Sequence, residues 1–501
     1  MALIFQLAFN PPVTMKNTLF YTLFLMVALT VGCTNDFEAI NKNGNAPTQT
    51  NVGSLLPSVI FEPLNPHMLL QTWLTDQVMQ DVVRRNDNQL DAYDFSTGQI
   101  YFGGVWRANY AALRNANDMM ATAETLKLPA YVAAGLIMNA YNMATISELW
   151  IDAPFADAGK GGTAIAPAYS NQQTIYTAIL KDLERANTLL EPTTRFTLGG
   201  DVLFKGDATK WKKLANSLRL RYLLRLSNRS EINAAVEIKK IVDSPTTFPI
   251  ITGNADAGIY DFSGVLPDAS VISTLLPVSL GGVSPSKRMV SFLVETKDPR
   301  LDFFVLKPVN AAAYPNHEGV VSGTTREAAQ STNGNSDQNA STLTRRFTET
   351  RGLLDYAFMT YSEVQFILAE AHMKGWITTG TAKEYYEKGI TANFDYWKVP
   401  VPMGFLAQPT VVWNNTMARL MDQKWMSYYL INTVEAWGEQ KRTGLPALTP
   451  GPLATTITKG LVPTRVFYPT LEQSVNGDNY KTATASLGGD NITAQHWYQK
   501  K

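Results

Sequence analysis

The sequence predicts a mainly α-helical fold in which tetratricopeptide-like helical hairpins are interrupted by a long, irregular, loop-rich insertion. Apolar residues recur every three to four positions through most of the chain, which is the period of one helix face. Within 360–397, two capped helices are joined by about six residues and together have roughly the 34-residue length of a tetratricopeptide hairpin. Residues 253–351 are rich in Gly, Ser, Asn and Pro and lack this period, so we expect them to form the insertion.

The first half of the chain is predicted to contain six helices. In the first of them Trp73 and four aliphatic side chains share one face. Ser170 and Gln173 indicate a capping box before the fourth helix, and Asp207 is the predicted N-cap of the fifth. The predicted helices span 67–85, 105–126, 131–149, 175–190, 211–226 and 231–242.

The clearest helices follow the insertion. Thr360 with Glu363, and Thr381 with Glu384, each form a predicted capping box ahead of an apolar-periodic run. The short connection between these two helices predicts that they pack antiparallel. The predicted helices of this half span 364–374, 382–397 and 413–435, and 287–295 is the helix expected within the insertion.

A secretory signal is expected at the start of the chain. Lys16 is followed by the apolar run 19–31, by the small residue Gly32 and then by Cys33, the only cysteine. The run is about 13 residues long, which is shorter than the roughly 20 that span a bilayer. A cysteine directly after the predicted cut is typical of a lipoprotein, whose two or three acyl chains would hold it on a membrane. We therefore expect Cys33 to be lipidated.

These features divide the sequence into three parts. We expect a signal peptide over 1–32, with Met15 as an alternative true start, because Pro11 and Pro12 would break a helix that continued into the signal. Residues 33–56 are polar and are predicted to form a lipidated tether. Residues 57–501 are predicted to form the folded body.

Composition and motifs exclude several classes of function. The 43 basic and 43 acidic residues give no net charge, so nucleic acid is not an expected partner. A single cysteine excludes disulfides and, once acylated, a thiol nucleophile. None of the four histidines has a second histidine at metal-ligand spacing, and GxSxG, P-loop and calcium-loop motifs are absent. The sequence therefore predicts no catalytic residue, no metal site and no cofactor.

Two charged groups leave alternatives open. Asp152 and Asp157 flank a Pro-Phe pair, and we expect them to fix a loop, although a carboxylate pair of a surface glycoside hydrolase is the alternative. Arg221, Arg225 and Arg229 recur every four residues and share one helix face. We expect that face to be solvated and paired with acidic residues, with an anion site as the alternative.

Aromatic residues give the candidate ligand site. Tyr93, Phe95, Tyr101 and Phe102 lie among polar and Gly residues in 87–104, between two predicted helices. Rings carried on a loop could stack against the C–H faces of sugars, with polar neighbours bonding the hydroxyl groups. We offer these four rings as a candidate platform; the alternative is that they pack onto the body.

Short motifs in a specific order resemble the SusD/RagB-type outer-membrane lipoproteins of Bacteroidetes. The resemblance covers nearly the whole chain after Cys33. Its motifs are Asp36-Phe37-Glu38, Asn41 to Pro47, Trp106 with Tyr110 and Asn115-Ala116-Asn117, Glu148 to Phe155, Lys297 to Leu301, Tyr361 to Ala371, Tyr385-Tyr386 with Trp397, Gln423-Lys424-Trp425, Glu435-Ala436-Trp437, Arg442-Thr443-Gly444, Arg465, Tyr468-Pro469 and Glu472.

The resemblance implies a non-enzymatic, lipid-anchored protein at the outer membrane that binds oligosaccharides. It further implies delivery of the glycan to a TonB-dependent SusC-like transporter, on which the protein would act as a lid. Some relatives handle peptides, so a peptide ligand is an alternative. A tetratricopeptide-like scaffold that binds only other proteins is another. No ligand-contact residue is carried over from the family.

Overall fold

A computed structural model describes residues 51–85, 90–160, 166–273, 282–331, 339–346 and 354–500. The predicted signal peptide, Cys33 and nearly all of the predicted tether lie outside the described residues. Residues Asn51–Lys501 form one compact unit. It begins with helix α1 (Val52–Phe61), so residues 52–56 are not tether, because Val52 and Leu56 are buried in the core.

Helices make up most of the first half of the unit. Helix α2 (Leu64–Leu70) continues through a π-helical turn (Gln71–Thr75) into a short helical segment (Asp76–Val78). The helices that follow are α3 (Gln99–Thr125), α4 (Pro129–Trp150), α5 (Gln172–Leu189), α6 (Ala208–Arg225) and α7 (Ala234–Asp243).

The second half contains the helices of the insertion and the helices that follow it. These are α8 (Lys287–Glu295), α9 (Arg300–Phe304), α10 (Arg326–Gln330), α11 (Tyr361–Met373), α12 (Ala382–Tyr396), α13 (Met417–Tyr428), α14 (Thr433–Thr443), α15 (Ala454–Ile457), α16 (Thr470–Val475) and α17 (Gly477–Ser486). Single 3₁₀ turns occur at Phe95–Thr97, Ser230–Ile232, Asn254–Asp256, Phe405–Ala407 and Trp497–Gln499.

Short strands connect distant parts of the chain in antiparallel pairs. Strand β1 pairs with β5, β2 with β3, β4 with β8 and β6 with β7. The β1–β5 and β4–β8 pairs join the insertion to helical segments before and after it. The strands are β1 (Val82–Arg84), β2 (Ala153–Pro154), β3 (Tyr169–Ser170), β4 (Gly258–Tyr260), β5 (Val283–Pro285), β6 (Val305–Leu306), β7 (Thr342–Leu343) and β8 (Tyr356–Met359).

Helix α4 is the centre of the helical body. Every residue from Ala130 to Trp150 except Asn139 is buried, which is the pattern of a helix surrounded by others. It packs against α1, α3, α5, α6 and α14. Helices α11 and α12 form the hairpin that the sequence predicts, and a separate apolar cluster containing Phe366, Tyr386 and Phe394 joins them. The mainly helical, hairpin-based fold is confirmed.

Local signals predicted several helix boundaries correctly. Helix α8 spans the predicted 287–295. Asp207 caps α6 through bonds from the backbone of Thr209 and Lys210, while Thr360 and Thr381 cap α11 and α12. The predicted capping box before α5 is wrong in detail. Its cap is Asn171, whose Oδ1 accepts from Thr174 N at 2.9 Å.

Two predicted helices are wrong in extent. The helix 67–85 ends early because Val82 to Arg84 form strand β1, which pairs with Val283 to Pro285 of the insertion. The helix 413–435 is two helices, since the chain turns between α13 and α14 with Leu430 at a positive φ of 55°. In both cases a contact distant in sequence overrides a local pattern.

The predicted arginine face is paired with acidic residues as expected, but the prediction that it is solvated is wrong for Arg221 and Arg225. Arg221 and Arg225 are buried, with side chains 2% and 0% exposed, because α6 is covered by other helices. Arg221 donates from Nε and Nη2 to the two carboxylate oxygens of Glu363, both at 2.6 Å. Arg225 lies 2.7 Å from Glu148, 2.8 Å from Glu435 and 3.2 Å from Glu439. Arg229 alone is partly exposed.

The buried charges form one network between helices. Lys441 contacts Glu148 at 2.9 Å, Lys424 contacts Glu439 at 2.7 Å, and Arg442 contacts both Glu370 and Glu439 at 2.6 Å. Burial alone would raise the pKa of Glu148, but the charges of Arg225 and Lys441 hold it well below its usual range. We call this set, with Arg221, Arg225, Glu363 and Glu435, the ionic core.

Candidate functional site

The four candidate rings do not form an exposed loop platform. Tyr93, Phe95 and Phe102 are buried, and Phe95 contacts Phe102 with a centroid distance of 6.0 Å. Helix α3 begins at Gln99, so Tyr101 and Phe102 lie on a helix and point in different directions. Tyr101 is half-buried, and residues 87–89 of the predicted segment lie outside the described residues. The structure thus leaves Tyr101 as the candidate that a ligand could reach.

Tyr101 belongs to an aromatic and cationic cluster that the sequence did not reveal. Its ring is stacked on Trp73, with centroids 6.2 Å apart and planes inclined by 29°. The guanidinium carbon of Arg84 lies 3.8 Å from the centroid of the Trp73 ring. This is close for a cation–π contact, which orients the guanidinium over the ring. We call Trp73, Arg84 and Tyr101 the aromatic cluster.

Each member of the aromatic cluster is fixed by a different element. Trp73 lies in the π-helical turn, a rare geometry that is frequent at functional sites. Arg84 is the last residue of β1, which is held by its pairing with Val283 of the insertion. Tyr101 lies in the first turn of α3. The insertion therefore supports the cluster, since β5 fixes the strand that carries Arg84.

The cluster offers chemistry suited to a flat, polyhydroxylated ligand. Trp73 is 6% exposed and forms the base, while the half-buried Tyr101 and Arg84 form the accessible part. A ring provides apolar area for C–H groups, and a guanidinium provides N–H donors in a planar fork. A few polar groups beside an aromatic surface are typical of sites that bind small molecules.

A buried carboxyl pair lies in the same chain segment. The side chains of Asp76 and Asp81 are fully buried, and Asp81 N donates to Asp76 O at 2.8 Å. Burial raises the pKa of both groups, and the charge of Asp76 raises that of Asp81 further. The folded protein therefore favours the neutral carboxyl form at both positions.

Replacing Asp76 with asparagine is expected to stabilise the protein at pH 8 and to change little at pH 4. The folded pKa of Asp76 lies above its ordinary value of 3.8, so ionisation opposes folding as the pH rises past that value. Asparagine keeps the shape without the charge. Thermal unfolding of both proteins across this pH range measures the effect. A difference that does not vary with pH would contradict the assignment.

Asp152 and Asp157 contact different partners. Asp152 Oδ1 accepts a hydrogen bond from Gln172 N at 2.9 Å, which joins the 151–160 loop to α5 as expected for a loop-fixing residue. Asp157 is exposed and pairs with Lys160 at 2.9 Å.

Among the described residues, no three His, Cys, Asp or Glu side chains form a metal-binding group. No helix in this part of the chain is long and apolar enough to cross a bilayer.

The fold and the cluster define a helical, hairpin-built protein with a small aromatic site beside a large insertion. A family described as "Starch-binding associating with outer membrane" matches residues 44–469. The chain therefore belongs to the SusD-like family. Comparison with the curated proteins finds no match.

Solved structures share this fold over almost the whole chain. A SusD homologue from Bacteroides fragilis is 25% identical, with a TM-score of 0.75 over 90% of this chain and 100% of that one. A chitin-binding protein is 24% identical, with a TM-score of 0.76 over 90% and 100%. A chitin-binding SusD homologue from Flavobacterium johnsoniae is 21% identical, with a TM-score of 0.74 over 89% and 98%.

Proposed function

We propose that this protein binds oligosaccharides through the aromatic cluster without cutting them. The observation that carries the proposal is the family match, whose description names starch binding. The geometry of Trp73, Arg84 and Tyr101 supports it, because a stacked ring beside a guanidinium suits a sugar.

We further propose that the protein is held at the outer membrane by lipid on Cys33 and hands the glycan to a TonB-dependent SusC-like transporter. The family description, which names outer-membrane association, supports the location. Handover requires release, so we expect modest affinity. The small aromatic cluster fits that requirement, because few groups contribute to binding.

Replacing Tyr101 with alanine is expected to weaken polysaccharide binding about fivefold. The substitution removes the accessible ring, and one aromatic contact contributes about 1 kcal/mol. Electrophoresis of the purified protein through gels containing starch or glycol chitin measures the retardation. The matched control is Tyr361→Ala, which removes another half-buried tyrosine at the start of α11.

Three outcomes of this experiment differ in meaning. Retardation that falls for Tyr101→Ala and persists for Tyr361→Ala supports the proposed site. Equal retardation of both variants would place the glycan elsewhere. No retardation of the wild-type protein by any glycan, together with binding of peptides, would contradict the proposed ligand.

A further inference from the structure

A recess lies beside helix α3, further along the helix than Tyr101 of the aromatic cluster. Helices α3, α4 and α5 and the 155–160 loop enclose about 570 Å³, within the usual range for small-molecule sites. Tyr101 and Asn117 are sixteen residues apart on α3, which corresponds to about 24 Å along the helix axis. The recess is thus separate from the aromatic cluster.

The wall of the recess is held by specific contacts. Gly159 adopts a φ of +76°, and a Cβ there would lie 2.8 Å from Asn117 Nδ2, so the close approach of the loop to α3 requires glycine. Asn117 Nδ2 donates to Ala158 O at 3.4 Å, and Asn139 Nδ2 donates to Asn117 Oδ1 at 3.0 Å. These bonds hold the loop and two helices together around the recess.

The polar groups in the recess are mainly acceptors. Among the described residues, the carboxylates of Asp118 and Asp182 have no ion-pair partner within 4.0 Å. Lys160, which also lines the recess, pairs with Asp157 at 2.9 Å outside it. The recess therefore has a negative character.

Asp182 is the deeper of the two carboxylates. Burial raises its pKa to about 6, and the charge of Arg185 offsets this only in part. The guanidinium of Arg185 itself bonds to Glu124 at 2.6 Å. A cation bound in the recess would therefore meet a carboxylate that lacks a close partner of its own.

We propose that the recess binds an amino sugar, a pyranose with a protonated amine, at the end of a glycan or free in solution. The Phe155 ring, which is half-buried and lines the recess, takes a C–H face of the sugar. Asp182 and Asp118 accept hydrogen bonds from the ammonium group. This inference rests on the proposed function insofar as it takes sugars as the ligand class, but it concerns a second site.

The test compares D-glucosamine with glucose by calorimetric titration of the purified protein at neutral pH. We expect glucosamine to bind about tenfold more tightly, the effect of a charge-assisted hydrogen bond. Asp182→Asn should abolish this preference and Asp118→Asn, an exposed position, should reduce it. Phe155→Ala should weaken binding of both sugars. Lys212→Ala, in a different surface recess of similar volume, is the matched control and should change nothing.

The outcomes separate this inference from the proposed function. Equal affinity for the two sugars, or a preference that survives in both aspartate variants, would overturn the amino-sugar site while leaving polysaccharide retardation intact. Glucosamine binding that persists in Tyr101→Ala supports two distinct sites. If the wild-type protein bound glucosamine but was not retarded by any polysaccharide, the result would contradict the proposed function alone.

Discussion

Replacing Arg225 with alanine is expected to lower the free energy of unfolding by about 3–5 kcal/mol, the cost of leaving buried charges without a partner. The side chain is fully buried and contacts three carboxylates, from Glu148, Glu435 and Glu439. Alanine would leave these three acids close together in the centre of the helical body, where water cannot replace the guanidinium. The midpoint of denaturant unfolding, monitored by circular dichroism, measures the loss.

Arg229→Ala is the matched control, because Arg229 follows Arg225 by four residues and lies beyond the end of α6. Its ion pair with Glu231 is at the surface, at 2.8 Å, and exposed pairs contribute little. We expect no measurable change in the unfolding midpoint. Equal effects of the two substitutions would show that the ionic core does not stabilise the fold as the contacts indicate.

Replacing Cys33 with alanine is expected to move the protein from the membrane fraction to the soluble fraction of cells. Each buried acyl CH₂ contributes about 0.8 kcal/mol, and stable anchoring takes two chains or a chain with a second signal. Without the thiol there is no attachment point for these chains. Fractionation of cells that produce each protein, followed by mass spectrometry of the mature N-terminus, measures the effect.

A neighbouring substitution provides the control for the anchor. Thr34→Ala leaves the thiol in place and should fractionate with the membrane. Membrane fractionation that is unchanged by Cys33→Ala would contradict lipid anchoring at this residue. Capture of a TonB-dependent transporter with the anchored protein, and its loss with Cys33→Ala, would support the proposed handover.

The parts of the fold that the sequence predicted are those set by neighbouring residues. The cap Thr360 and the apolar period after it determine α11, and the same holds for Lys287–Glu295. The sequence did not predict strand β1, because its partner, β5, lies about two hundred residues further along the chain. The break at Leu430 depends on how two helices pack, which no local period records.

The candidate site was predicted only in part for the same reason. The sequence indicates Tyr101 because it is an aromatic residue among polar ones. The helical period predicts Trp73 on a helix face, where a ring usually packs in a core, and it predicts Arg84 within the same helix. Their contact depends on the π-helical turn and on the pairing of β1, so the 3.8 Å approach could not be seen in the sequence.

For Arg225 the sequence pattern predicts an exposed side chain, whereas the structure buries it. Arginines spaced every four residues are usually a solvated face, and this pattern is the same whether the helix is exposed or covered. The acids that neutralise Arg225 are dispersed over α4 and α14, more than seventy residues before it and two hundred after it. The contacts of Glu148, Glu435 and Glu439 with Arg225 therefore follow from the fold and not from a local sequence pattern.

The most direct test of the central claim is to titrate the purified protein with starch and chitin oligosaccharides by calorimetry while assaying reducing ends in the same samples. We expect saturable binding of at least one oligosaccharide, weakened by Tyr101→Ala, with no increase in reducing ends. An increase in reducing ends, or no binding of any oligosaccharide by the folded protein, would contradict a glycan-binding role.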